Sequence, residues 1–262
     1  MKASTVAALE RINRSFYAQW ATEFSATRTK PWPGWDRVFE IVKQHLGSEG
    51  FSILDLGCGN SRLLEPLESF FGSRILYRGV DASVPLLALA RSASERCRPA
   101  LHAANLVDEP LSEIAPAERF DLIVAFGLMH HLPSFALRQR LVTAAASRLR
   151  SGGLMAVSFW QFETKERFRR RFIPWLRYSS EFSSRPEALE VEDLESGDHL
   201  LAWGDSGAVR YCHFADSAEA KAVVSVPELK TLVTFEDDGA SNDLNLYWVL
   251  EKSHSSTTGS AQ

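Results

Sequence analysis

Cysteine is scarce in this chain and poorly placed for a framework. Cys58, Cys97 and Cys212 are odd in number and far apart, and no CxxC pair occurs. That spacing excludes a disulfide scaffold and a structural zinc site, and it fits a reducing, cytoplasmic setting. Long hydrophobic runs are missing too. No apolar stretch approaches the roughly 20 residues needed to span a bilayer, so no membrane association is expected. The segment MKASTVAALERINRSF has no uninterrupted apolar centre and is not expected to act as a secretory signal. Positive charge is not in surplus: 29 Lys and Arg stand against 33 Asp and Glu, for a formal net charge of −4 over 262 residues. Wholesale coating of a nucleic acid is thereby excluded, and a polyanion would have to be met by a local patch. There is no internal repeat, and the small, polar tail SHSSTTGSAQ is expected to be disordered.

What is present reads as alternating strands and helices. Val6, Leu9, Ile12, Phe16 and Trp20 recur at helical spacing. Pro31 and Pro33 then forbid helix, and Trp35, Val38, Phe39, Val42 and Leu46 line a second helix with Gly47 as its stop. FSILDL, RILYRGV, PALHAA, FDLIVAF and LMAVSFW read as strands separated by helical segments, Ser151-Gly152-Gly153 breaking the helix before the last of them. LKTLVTFE and LNLYWVLE, separated by DDGASND, should pair as an antiparallel hairpin. The expectation is a doubly wound α/β fold with a mostly parallel sheet. Its parts would be an N-terminal helical arm or lid (1–49), a nucleotide-binding core (50–160), an inserted lid-like segment (161–215), the rest of the core sheet (216–252) and the tail (253–262).

LDLGCGNSRLL begins at the end of the first strand. Gly57 and Gly59, following Asp55, permit a tight turn and close backbone approach to a ligand, and the next helix aims its N-terminus at it. Asp81, ending the second strand, lies about where an acid would bind ribose hydroxyls. Arg62 stands where a dinucleotide fingerprint has its third glycine, which disfavours a nicotinamide oxidoreductase. Cys58 reads as a small buried residue, since nothing nearby would activate a thiolate. His130 and His131 follow the fourth strand at the ligand crevice, with no companion ligand at metal spacing. One of them packs under the cofactor; the other can face an acceptor.

LDLGCGN, VDAS, FDLIVAFGLMHHL and LRSGGLMAVSFW together resemble the class I S-adenosylmethionine-dependent methyltransferases. The resemblance implies a seven-stranded sheet ending in an antiparallel hairpin, with S-adenosylmethionine held by Asp55, Gly57, Gly59, Asp81 and Phe126. It also implies that Asn105 faces the adenine and that Leu106 packs on the ring. SATRTKPWP further resembles the STRYKPWP element of the eukaryotic tRNA wobble-uridine carboxymethyl methyltransferases. GDHLLAW and RYCHF resemble that family's GDVLVPW and RYYHLF elements, with Ala202 for a proline and Cys212 for a tyrosine, and the stretch 161–196 has no counterpart.

That family esterifies 5-carboxymethyluridine in tRNA and relies on a small zinc-binding partner. By the resemblance Arg28 and Arg210 orient a carboxylate or phosphate, and His213 and Tyr211 fix a base or ribose. Lys30, Trp32 and His131 then lie on the substrate side. A carboxylate is already a nucleophile, so orientation and desolvation matter more than a general base. Several alternatives stand at this point. Trp32 and Trp35 either touch substrate or anchor the arm. Lys165, Arg167, Arg169, Arg170, Arg171 and Arg177 either form a solvated helix face or meet RNA phosphates. The chain as a whole methylates tRNA, methylates a small carboxylate or hydroxyl compound, or binds cofactor without catalysis until a partner joins it.

Overall fold

A computed structural model describes residues 1–47, 50–72, 74–93, 99–114, 118–182 and 189–254. Cys97 and most of the tail lie outside them. Two helices, α1 (Ala3–Ala26) and α2 (Pro33–Leu46), precede the alternating segment. There follow β1 (Ser52–Leu56), α3 (Leu64–Phe71), β2 (Leu76–Asp81), α4 (Val84–Ala93), β3 (Ala100–Ala103), α5 (Leu111–Ile114), β4 (Phe120–Ala125), α6 (Phe135–Arg148) and β5 (Leu149–Trp160). The segment after them holds α7 (Glu166–Arg169), β6 (Phe172–Ile173), α8 (Trp175–Phe182), β7 (Asp198–Trp203) and β8 (Ala208–His213). The chain closes with α9 (Ser217–Val224), β9 (Leu229–Asp237) and β10 (Asn245–Lys252).

Seven strands form one sheet in the order β3-β2-β1-β4-β5-β10-β9, parallel except that β10 runs against both neighbours. The strand order reverses between β1 and β4, where doubly wound sheets open a ligand crevice. All five residues of β1 are buried because helices cover both faces. One face packs against α2, α3 and α4 through Val38, Phe39, Leu67 and Leu87. The other packs against α5, α6 and α9 through Ile114, Leu141, Ala145 and Val223. Each fully buried aliphatic side chain contributes roughly 1.5–3 kcal/mol, so this core dominates the stability of the fold.

Three local expectations change. Trp20 does not continue the apolar face of α1: it sits half-exposed at a kink (φ −118°, ψ 19°), and Ala21 is buried instead. Ser151-Gly152-Gly153 is not a loop between α6 and β5. The strand already begins at Leu149, Gly152 has φ 74°, and the register with β4 slips between Phe120 and Leu122. The glycines are therefore a bulge in the strand. The third change is larger. The segment 161–215 builds its own antiparallel sheet, β6-β7-β8, whose two longer strands are GDHLLAW and RYCHF.

This small sheet packs on α1, burying Leu9 and Ile12 against Leu200 and Tyr211. The Asn13 side chain also accepts the Tyr211 backbone N–H at 2.9 Å. Together they form a roof over the carboxyl ends of the parallel strands. Between α1 and α2 the KPWPG turn is docked rather than free. Trp32 has extended backbone before the helix, Pro33 opens α2, and the Gly34 N–H donates to Asp238 at 2.9 Å. A Cβ on Gly34 would lie 2.4 Å from the Tyr247 ring, so only glycine fits there.

Candidate active site

The ends of β1, β2, β4 and β5 open into a cavity of about 1280 Å³ beneath the roof. The loop after β1 folds back on β2, with the N–H groups of Gly57 and Cys58 both donating to the Val80 carbonyl at 2.8 and 3.0 Å. Gly57 has φ 74°, and a Cβ there would press on Leu128 at 2.9 Å, so the floor requires glycine twice over. Asp81 takes the Gly59 N–H at 2.8 Å on one oxygen and the Ser83 N–H at 2.7 Å on the other. Each carboxylate oxygen keeps a further acceptor site. Burial raises the Asp81 pKa, and these two N–H bonds oppose the rise. Asp55, buried and accepting from the Tyr77 hydroxyl at 2.6 Å, is pushed by burial up to about 7.

The charges divide by element. Asp55 and Asp81 end β1 and β2, and Asp108 follows β3, so acids gather on one side. Arg28, following α1, and Arg210, in β8, lie on the other and share one aromatic ring. The two guanidinium groups stand 4.7 and 5.9 Å from the Phe24 centroid. Arg210 is 6% exposed and its Nε has no partner, and among the described residues neither arginine forms an ion pair with a carboxylate. Burial, reinforced by Arg210, lowers the Arg28 pKa. His130, 8% exposed, leaves Nδ1 unpartnered, and its ring lies 5.1 Å from Trp160. Burial, His131 and Arg210 hold its pKa well below the ordinary value, so it is neutral.

Residues 54–155 match the methyltransferase domain family. The chain is 28% identical over 188 residues to the tRNA (carboxymethyluridine(34)-5-O)-methyltransferase of Schizosaccharomyces pombe, covering 68% of this chain and 74% of that one. The enzyme of the same name from Saccharomyces cerevisiae is 29% identical over 210 residues, covering 71% and 69%. An amino pentose methyltransferase of Micromonospora echinaspora, solved with S-adenosylmethionine bound, superposes with a TM-score of 0.58 at 18% identity, covering 88% and 97%. The chain carries a methyltransferase domain over residues 54–155, on a fold shared with S-adenosylmethionine-dependent methyltransferases. It spans about a third of the length of the bovine and human relatives it matches.

The fold implies S-adenosylmethionine as cofactor, and the cradle fits it. The glycine floor leaves the space a Cβ would fill, and Asp81 is held rigidly with acceptor capacity to spare. Asp55, Gly57, Gly59, Asp81, Leu106 and Phe126 all line the cavity. Asn105 lines it too, and both its amide hydrogens are engaged by the protein. Its Nδ2 donates to Glu10 at 2.7 Å and to Asp108 at 2.8 Å, while its Oδ1 accepts the Val107 N–H. Asn105 thereby braces α1 against the loop after β3, and its Oδ1 keeps one acceptor position.

On the other side Arg28, Trp32, His131 and Arg210 line the cavity, whereas Lys30, Tyr211 and His213 do not. Strand alternation is the cause. In β8, Arg210 faces the cleft, while Tyr211 and His213 turn to the opposite face. There the Tyr211 hydroxyl donates to Asp198 at 2.7 Å, and His213 lies 2.7 Å from Asp198 and 2.9 Å from Glu219. Neither can fix a base in the cavity. Lys30 contributes only its carbonyl, which accepts from Arg62 at 3.1 Å.

His131 is fully engaged by the roof. Its Nε2 lies 2.8 Å from the Tyr17 hydroxyl, and its Nδ1 lies 3.2 Å from both Asn13 Nδ2 and the Tyr211 carbonyl. Burial and Arg210 push its pKa down to about 3. Trp35 is a 2% exposed anchor stacked on Phe126, while the half-exposed Trp32 covers Gly127.

Sequence reasoning missed His130 in favour of its neighbour, and it missed Asn13 and Tyr17. The signal for these two was a polar pair one turn apart on the apolar face of α1. It also read Arg62 only as a missing glycine. The structure stacks the Arg62 guanidinium 4.5 Å from the Trp32 ring and 4.7 Å from the Trp35 ring. Burial, with Arg28 nearby, lowers its pKa to about 10.

Proposed function

We propose that this chain methylates the carboxylate of 5-carboxymethyluridine at the wobble position of tRNA. The observation that carries the reading is the Arg28–Arg210 pair. Two neighbouring guanidinium groups face a roofed cavity with no carboxylate paired to them among the described residues, and such a pair is costly unless an anion arrives. The SATRTKPWP and RYCHF elements, which hold these two arginines, support the wobble-uridine family over other acceptors.

S-adenosylmethionine, when bound, supplies an electrophilic methyl group that a carboxylate oxygen accepts with no proton to remove. The residues would hold it through Asp81 and the Gly57–Gly59 turn. Arg28 and Arg210 orient the acceptor through forked donors. His130 offers a neutral nitrogen beside them, and Trp160 and Phe126 exclude water, which strengthens every charge interaction in the cleft. None of the histidines there needs to act as a base.

The test is labelled S-adenosylmethionine offered with tRNA carrying or lacking 5-carboxymethyluridine, with and without the small zinc-binding protein that the resemblance implies. Label is expected only in the modified tRNA. Arg28→Ala should lower kcat/KM by about 100-fold while cofactor affinity stays within about twofold, as loss of two charge-assisted hydrogen bonds predicts. Label in a small carboxylate with the tRNA inert would move the reading to a small-molecule enzyme.

A further inference from the structure

The basic block after β5 is not one face. Arg169 and Arg170 both pair with Glu166 at 3.0 Å, and Lys165 pairs with Asp243. Arg167 and Arg171 have no such partner among the described residues, and both line the cavity, at its exposed edge. Neither is loosely attached. The Arg167 guanidinium lies 4.8 Å from the Phe168 ring, and the Arg171 carbonyl accepts the Ala202 N–H of β7 at 2.9 Å. A continuous aromatic path then leads inward. Phe168 packs on Trp160 with centroids 4.8 Å apart, and Trp160 stands 5.6 Å from the Arg210 guanidinium. Two arginines at the rim are thus joined by aromatic rings to the Arg28–Arg210 pair under the roof.

We propose that Arg167 and Arg171 form a second anion site that holds the phosphates of a single-stranded nucleic acid next to the nucleotide being methylated. This rests on the tRNA reading above and assigns the basic block within 161–196, the stretch that has no counterpart in the resembled family. An acceptor that engages both ends carries two kinds of anion: a carboxylate for Arg28 and Arg210, and backbone phosphates for the rim. A volume of about 1280 Å³ accommodates a cofactor and a nucleotide together, being above the 300–1,000 Å³ usual for one small ligand. Phosphate at the rim positions the strand without reading its sequence.

The probe is a single-stranded RNA anticodon loop carrying 5-carboxymethyluridine, titrated over a range of salt concentrations against wild type, the double variant Arg167→Ala with Arg171→Ala, and the double variant Arg169→Ala with Arg170→Ala. All three should bind S-adenosylmethionine alike by calorimetry, which reports intact folding. The rim variant should bind the RNA at least about tenfold more weakly, with the log–log salt slope reduced by about 1.4, as two single-strand phosphate contacts predict. The Glu166-paired variant should stay within about twofold of wild type. Equal losses in both variants mean diffuse charge and overturn the rim site. RNA bound normally by the rim variant overturns it too, while wild-type methylation of that RNA leaves the tRNA reading standing. RNA that wild type neither binds nor methylates overturns both.

Discussion

The parallel sheet and its roof are held by different forces. The core beneath the cavity is apolar on both faces, and its strands carry Ile53, Leu54, Leu122 and Val124 at almost no exposure. The roof has only small apolar clusters, around Leu9 and Tyr211 and around Phe162 and Cys212. It is tied to the core by polar side chains instead. Arg138, fully buried on α6, donates to Glu195 at 2.5 Å, to Glu219 at 2.6 Å and to the Leu132 carbonyl at 2.8 Å. His213 closes the same network through Asp198 and Glu219. Apolar burial gives the core rigidity without direction, whereas the directional bonds of the roof fix where β8 sits and hence where Arg210 points. Polar residues of α1 do the same for its loops: Asn60 donates to Ser25 at 2.7 Å, and Asn105 donates to Glu10.

The largest effect should come from removing the centre of the roof network. Arg138→Met leaves Glu195 and Glu219 without their shared cation and should cost about 3 kcal/mol. Hydrogen exchange should show the loss in β7 and β8 while β1 and β4 stay protected. Uniform loss of protection would dissolve the distinction between core and roof. Asp81→Ala should do the opposite. It should weaken S-adenosylmethionine binding about 100-fold by calorimetry, as two lost charge-assisted hydrogen bonds predict. Thermal unfolding should report a smaller loss, about 2 kcal/mol, from two unsatisfied loop N–H groups. Unchanged affinity would remove Asp81 from the cofactor site.

The smallest effect is a pH dependence confined to the roof. Burial works against charge on His213, but the bonds to Asp198 and Glu219 outweigh it and raise its pKa above the ordinary value of 6.5. Its contribution is therefore complete below about pH 6.5 and is lost as pH rises through the raised value. Wild type should lose stability relative to His213→Gln over that rise, and the two curves should run together below it. Parallel stability curves for the two proteins would show that His213 carries no charge in the fold.

Much of the core was legible because its signals are local. The alternation of apolar strands and amphipathic helices, the glycine turn after β1 and the acid ending β2 each lie within a few consecutive residues, and each survives in the structure. Arg28 and Arg210 were legible by resemblance, and the cavity brings them together. Other assignments failed for non-local reasons. Tyr211 and His213 sit in a matching motif beside Arg210, yet alternate residues of a strand face opposite ways. Asn105 does line the cavity, where Glu10 from α1, far off in sequence, takes one of its amide hydrogens. His131 and His130 are adjacent, and the packing of Asn13 and Tyr17 from α1 engages the ring of His131 while His130 keeps an unpartnered Nδ1.

By itself, then, the sequence determined the wound sheet, the glycine turn after β1 and the acid that ends β2, because hydrophobic periodicity and glycine turns act over short range. Tertiary structure alone decided the rest. It built a second sheet from short, polar-flanked strands and set it on α1. It also divided the basic block, leaving Arg169 and Arg170 paired with Glu166 and placing Arg167 and Arg171 at the cavity rim. The physical reason is that an ion pair or a strand face is chosen by which neighbour arrives, and those neighbours come from distant parts of the chain.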